Sequence, residues 1–248
     1  MIALLSPKGG VGRSTAAALL AAAYAARGQR VLLCDLDPTV HTVDLFFGVE
    51  DRALFGLYDL LAGKDAARAL LPVGEGEGIS LLSGGGAGEL AAEDDLARVL
   101  TELTAQGAYD RVILDLPAYA FQRNCYRSLV HTFLIVSTPE PAALLGAQSA
   151  SQQVGEEGEA YLLLNRLVKG EPVPCGMRPY EMIDLVQRPL IGILPEDADL
   201  AFTLSKGQLG GFKGELLLAA ENIASRLEGE EVLLFEGLKD GKKHRRGL

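Results

Sequence analysis

Residues 6–15 read Ser6-Pro7-Lys8-Gly9-Gly10-Val11-Gly12-Arg13-Ser14-Thr15, or SPKGGVGRST. The stretch lies between a short apolar run, Ile2-Ala3-Leu4-Leu5, and a long alanine-rich segment that reads as a helix over 14–27, stopped by Gly28. A glycine-rich turn between a strand and a helix start is an arrangement that binds phosphate. Its glycines let the backbone fold tightly, so that successive N–H groups and the helix N-terminus face one anion. The common pattern GxxxxGK[ST] is met with two changes: Pro7 stands at the first glycine and Arg13 at the lysine. The Ser14 hydroxyl is placed to coordinate a magnesium ion that arrives with the phosphates.

Working outward, continuous apolar runs recur over 2–6, 30–36 (RVLLCDL), 79–82, 111–116 (RVILDL), 132–136 (TFLIV), 160–164 (AYLLL) and 190–194 (LIGIL). Unbroken rather than alternating hydrophobicity marks strands buried on both faces. Helical segments are expected between them, over 94–106, 142–153, 179–186 and 214–226. The order predicts an α/β fold: a single-domain, doubly wound, mostly parallel sheet with helices on both faces, of the P-loop NTPase kind. In such a sheet, ligands bind beyond the carboxyl ends of the strands. Gly84-Gly85-Gly86-Ala87-Gly88 is followed by neither a basic residue nor a helix start at phosphate-binding spacing, and reads as a flexible connection.

Carboxylates fall where the loop needs them. Asp35 and Asp37 end the second strand, where they can hold magnesium through water or orient an attacking water. Asp37 can equally cap a turn with Pro38 and Thr39. Asp115 ends an apolar strand, as a Walker B aspartate does, and can bind magnesium or its water shell. Asn165-Arg166 and Pro195-Glu196-Asp197 close two later strands at the same edge.

Composition excludes several classes. With 248 residues, 48% hydrophobic and 23% charged, the chain suits one large globular domain. A net charge of -10 argues against a DNA-binding surface spread over the molecule. Cys34, Cys125 and Cys175 form no CxxC pair, so neither a disulfide framework nor a zinc ribbon is signalled, and they read as small buried residues. No apolar run is long enough to span a bilayer, and no signal peptide is read at the start, so the expected location is cytoplasmic.

The lysine of PKGGVG, together with VLLCDLDPTVHTVDLFFG, GLYDLLAG, YDRVILDLPA, VSTPEP, LLLNR, PLIGILPED and NIASRLEGEEV, resembles the MinD/ParA group of deviant Walker A ATPases, and within it the MinD branch. These stretches run in order from Ile2 to about Val232. The resemblance implies an ATP- and Mg²⁺-dependent ATPase that dimerises on ATP. Lys8 would be the signature lysine that reaches across the homodimer to the partner's phosphates. Gly9, Gly10, Val11, Gly12, Arg13, Ser14 and Thr15 would cradle the phosphates in cis. Asp37 matches the switch I aspartate and Asp115 the Walker B one, so Lys8, Asp37 and Asp115 carry the catalytic roles. Ser14, Asp37 and Asp115 would hold magnesium, partly through water. Asn165 and Arg166 would lie beside the adenine, with Pro195 and Glu196 flanking it. Two positions depart from the group: Arg13, where lysine is usual, and Tyr119, where relatives carry glycine.

The domain is expected over 1–231 and a basic tail over 232–248. The resemblance to the MinD branch implies a chain that closes with an amphipathic helix lying on the membrane. Here Leu234, Phe235 and Leu238 would share one helical face, while Lys239, Lys242, Lys243, Arg245 and Arg246 supply charge for an anionic membrane. Gly237 and Gly241 weaken such a helix, and a disordered basic tail is the alternative. Three functions follow from the resemblance. The first is a switch that positions division-site partners, at the inner face of the membrane. The second is a slow or non-hydrolysing scaffold that localises a pilus or flagellar apparatus. The third, a chromosome-partition ATPase, is disfavoured by the acidity. The nitrogenase iron-protein relatives are set aside, because Cys125 has no second cysteine to share a cluster.

Overall fold

A computed structural model describes residues 1–38, 40, 42–52, 54–74, 76, 78–84, 91–105, 107–118, 120, 126–155, 158–167, 173, 175–234 and 236–238. Strands β1 (Ile2–Leu5), β2 (Val31–Asp35), β3 (Leu70–Val73), β4 (Ile79–Ser83), β5 (Arg111–Asp115), β6 (Thr132–Ser137), β7 (Glu159–Leu167) and β8 (Leu190–Pro195) form one sheet in the order β3-β4-β2-β5-β1-β6-β7-β8. All pairings are parallel except β3 with β4. The expected strands are present, and β3 is an addition. It carries Pro72, which lacks an N–H and is tolerated on an edge strand such as this.

The helices are α1 (Arg13–Ala26), α2 (Thr42–Phe47), α3 (Leu57–Leu61), α4 (Glu93–Thr104), α5 (Pro141–Val154), α6 (Pro179–Val186), α7 (Leu200–Ser205) and α8 (Glu215–Leu227). Helices α2, α3 and α7 were not expected from the sequence. At five or six residues each they are too short to show a helical period.

The sheet separates two cores. One packs α1, α2 and α8 against Ile2, Leu4, Leu33 and Ile113. The other packs α3, α4, α5 and α6 against Ala3, Leu5, Leu32 and Leu114. Each leucine or isoleucine buried in these layers contributes about 1.5–3 kcal/mol relative to exposure. Helix α1 meets the sheet with small side chains, Ala16, Ala17, Ala21 and Ala23, all of them buried. Helix α8 lies close to β8, where a Cβ on Gly192 would stand 2.2 Å from Ile223 Cγ1. The C-terminal end of α8 is tied to the end of α1 and the start of β5. Arg27 meets Glu228 and Glu230 at 2.6 Å each, and Arg111 also meets Glu228. Helix α8 therefore runs antiparallel to the strands, and its first turn lies toward their carboxyl ends.

The described residues after α8 run back along it. Arg226 donates to Val232 O at 2.9 Å and to Leu233 O, Asn222 donates to Glu236 O at 2.8 Å, and Gly237 abuts Leu218. This segment is turn rather than helix. Leu234 packs on the core under α5, whereas Leu238 packs on the core under α8. The single apolar helical face expected for Leu234 and Leu238 is therefore absent, because each leucine is drawn into a different core. Phe235 and the basic residues Lys239, Lys242, Lys243, Arg245 and Arg246 lie outside the described residues, as do Tyr119 and Cys125. Cys34 is buried, as expected, and burial pushes its thiol pKa up; Cys175 is half-buried.

Candidate nucleotide site

The strand order reverses direction at β1, with β5 and β2 on one side and β6 on the other. The crevice at its carboxyl end is where an open α/β sheet takes its ligands. The glycine loop fills it. Gly10 and Gly12 have φ of +79° and +85°, values that glycine adopts without cost. Gly12 is the residue before the first turn of α1, and its carbonyl accepts from Ala16 N at 2.9 Å. The missing side chain matters a second time. A Cβ on Gly12 would stand 2.2 Å from Asn165 Nδ2. That amide instead donates to Val11 O at 2.8 Å, which fastens the loop to the end of β7.

Next to this fastening, Gly12, Thr15, Asn165, Arg166, Pro195 and Glu196 line a cavity of about 110 Å³. Leu200 and Leu204, one turn apart on α7, give it an apolar wall. These two leucines were missed in the sequence, although an i, i+4 leucine pair directly after Pro195-Glu196-Asp197 is a usable signal. Arg166 holds the left-handed conformation, φ +57°, which is costly for a residue with a side chain. Its N–H donates to Asn165 Oδ1 at 3.0 Å, and its guanidinium lies 3.9 Å from Glu196. The residues expected around a base are therefore gathered at one cavity beside the loop.

The carboxylates separate into distinct roles. Asp115 and Asp35 are register partners on β5 and β2, both buried. Arg13 Nε donates to Asp115 Oδ1 at 2.5 Å, and Arg13 Nη2 reaches Ser14 Oγ at 3.5 Å. Burial pushes the Asp115 carboxyl pKa up, against the charge and hydrogen bond of Arg13 and the hydroxyl of Ser14, while the charge of Asp37 adds to the rise. Asp115 Oδ2 is buried without a hydrogen-bond partner among the described residues. Asp35 is engaged by the backbone. Its Oδ1 accepts from Asp37 N and its Oδ2 from Val43 N, each at 3.2 Å, so it ties the turn after β2 to the start of α2. Burial, then the neighbouring Asp115, raises its pKa to about 7. Asp37 Oδ1 accepts from Val40 N at 3.2 Å, a turn cap, while its charge is felt at Asp115. Gly84 is buried against the same turn: a Cβ there would lie 2.7 Å from Asp37 O and 2.8 Å from Asp35 O. At this position the glycine run serves a close backbone approach rather than a flexible connection; residues 85–90 lie outside the described residues.

Lys8 stands apart from the cradle. Its Nζ pairs with Glu140 at the rim, where the two side chains are 37% and 51% exposed. The hydrogen bond and charge of Lys8 hold the Glu140 carboxyl below its ordinary range. Sequence reading did not assign Glu140 a role. Its signal was its place, a strand-end acid following β6 at the same edge as the loop.

Among the described residues no group of three or more His, Cys, Asp or Glu could hold a metal by itself. A buried carboxylate oxygen lacking a partner, beside a serine hydroxyl, is instead the donor set of a magnesium ion that enters with phosphate and keeps most of its water. The residues present fit that ion.

A family model described as the CobQ/CobB/MinD/ParA nucleotide binding domain matches residues 2–209. The septum site-determining protein MinD of Synechocystis sp. is 33% identical over 245 residues, covering 94% of this chain and 90% of that protein. A chain of the MinC:MinD cell division protein complex of Aquifex aeolicus superimposes with a TM-score of 0.80 at 27% identity, over 94% of this chain and 97% of that one. The septum site-determining protein MinD of Pyrococcus horikoshii, complexed with Mg-ADP, has the same fold, with a TM-score of 0.72 at 23% identity over 92% of this chain and 95% of that one.

Gly12→Ala combines a left-handed backbone with a collision against Asn165, so the variant is expected to remain folded yet bind ADP about tenfold or more weakly. Titration calorimetry alongside circular dichroism measures both. Unchanged affinity would show that the loop does not hold the nucleotide.

Proposed function

The chain belongs to the CobQ/CobB/MinD/ParA nucleotide binding family, and on that premise we propose that it is an ATP-hydrolysing switch that dimerises on ATP and positions division-site partners. The observation that carries this reading is the division of labour between the two basic residues of the loop. Arg13 faces inward to Asp115 and Ser14, within the cradle of its own chain. Lys8 sits on the exposed rim with Glu140, where a second copy closing over the same edge would meet it.

In this reading the backbone N–H groups of Gly9 to Thr15 grip the phosphates, and the start of α1 adds its field. Asn165, Arg166, Pro195 and Glu196 hold the base in the cavity beside them. Magnesium supplies charge neutralisation at the phosphate oxygens, with Ser14 and Asp115 positioned to receive it. Asp37 orients the attacking water once the phosphates draw its turn inward. The Lys8–Glu140 pair is exposed at the rim and screened by water, so a partner's phosphates can displace it readily. The MinC:MinD complex supports a protein partner, and the Mg-ADP complex supports the nucleotide and its metal.

Membrane contact is the outermost part of the proposal. With Leu234 and Leu238 drawn into the cores, attraction rests on Lys239, Lys242, Lys243, Arg245 and Arg246, each worth about 1 kcal/mol beside an anionic leaflet. One tail binds weakly. Two on one dimer bind far better, because the second contact is intramolecular.

Size-exclusion chromatography with light scattering tests the switch: ATP and Mg²⁺ should convert the wild type to a dimer and leave Lys8→Ala monomeric. A wild type that stays monomeric, or a variant that dimerises equally, refutes the assignment. Phosphate release should be slower for the wild type than for Arg13→Lys, because a planar fork stabilises the transferring group less well than a compact ammonium; each tenfold in rate corresponds to about 1.4 kcal/mol. Equal rates would remove that role for Arg13. Pelleting with anionic vesicles should require ATP and disappear when residues 239–248 are deleted; pelleting indifferent to both would argue against the tail.

A further inference from the structure

Arg13 occupies the lysine position of a phosphate loop, and its side chain does what a lysine cannot. The guanidinium spans the two groups placed to receive magnesium, with Nε on Asp115 Oδ1 at 2.5 Å and Nη2 at 3.5 Å from Ser14 Oγ. The arginine side chain is 12% exposed and that of Asp115 is 0%, so this contact is desolvated and not a loose surface pair. An ammonium is a single compact charge: turned toward phosphate, it would leave Asp115 and Ser14 to be answered by a metal. A guanidinium is a rigid fork with donors on three nitrogens, never loses its proton, and can keep an acid while turning its remaining N–H groups to phosphate oxygens. Among the described residues no group of three or more His, Cys, Asp or Glu could hold a metal by itself. A fixed positive charge at Asp115 Oδ1 and beside Ser14 Oγ is one that the chain carries itself.

We propose that Arg13 is a tethered cation that takes over magnesium's share of nucleotide binding, so that this protein retains ADP with or without the metal. The inference rests on reading the loop as a phosphate site, and it concerns binding alone. It also assigns the departure from lysine a positive role. The arginine is a specificity-determining residue, and it makes retention of nucleotide independent of the divalent ion.

Titration calorimetry of ADP into nucleotide-free protein, in Mg²⁺ and in EDTA, decides the matter for the wild type and Arg13→Lys. The wild type is expected to change by less than about threefold on chelation, and the lysine variant to weaken about tenfold or more. A wild type that weakens as much as the variant overturns the proposal. So does a variant as indifferent to chelation as the wild type, which would place the metal independence elsewhere in the loop. Thermal melting in EDTA, with and without ADP, supplies a second reading should the variant prove unstable: ADP should raise the midpoint of the wild type more than that of the variant, each measured against its own ADP-free baseline. If neither protein takes up ADP in either buffer, the phosphate-site reading itself fails. That outcome differs from a wild type that binds only with Mg²⁺, which defeats this inference and leaves the site intact.

Discussion

A carboxylate with no exposed surface has to be met by positive charge or by a proton, and the end of β5 presents one. Asp115 is fully enclosed, and its register partner on β2, Asp35, is a second buried acid. Removing one partner of a buried ion pair commonly costs about 3–5 kcal/mol, because the remaining charge is stranded out of water. The arrangement of the loop follows from that constraint. Arg13 has to face inward, so the first turn of α1 has to begin beside Asp115, and so β1 has to end one tight turn earlier. Glycine at residue 12 makes the turn short enough. Asp35 finds its own answer in the N–H groups of Asp37 and Val43 and in a pKa raised to about 7.

The central architecture was readable in the sequence because burial on both faces leaves a plain trace. Once past Arg111 and Thr132 at their starts, runs such as RVILDL and TFLIV admit no polar residue until the strand reaches the ligand edge of the sheet, and the acid or serine there marks that edge. The glycine loop was readable for a similar reason: Gly10 and Gly12 adopt backbone angles that other residues avoid. What escaped were features that depend on distant partners or very short spans. Strand β3 has four residues and a proline, and it exists because β4 offers it an antiparallel edge. The pairing of Lys8 with Glu140 joins residues far apart in sequence, and no local pattern announces it.

The acids of Asp35-Leu36-Asp37 show the same limit from another side. As letters they are equivalent candidates for magnesium. Burial separates them, since Asp35 spends both oxygens on backbone amides while Asp37 stays at the turn. Gly84 was read as part of a flexible connection and is instead a close backbone approach. A glycine that gives flexibility and a glycine that permits contact look alike until the backbone it must pass, here Asp35 and Asp37, is in place. The terminal segment differs from its expectation because two leucines spaced like one helical face were claimed by two separate cores.

That returning segment has a directional consequence. Helix α8 descends from the ligand edge of the sheet to the opposite rim, where Glu228 is anchored by Arg27 and Arg111. Had the polypeptide simply stopped there, its last residues would hang from the far pole. Instead the carbonyls held by Arg226 and Asn222 lead it upward past Leu218, so that Leu238 finishes near the first turn of α8. The final described residue and the glycine turn thus lie toward the same pole of the sheet, although more than two hundred positions separate them along the polypeptide.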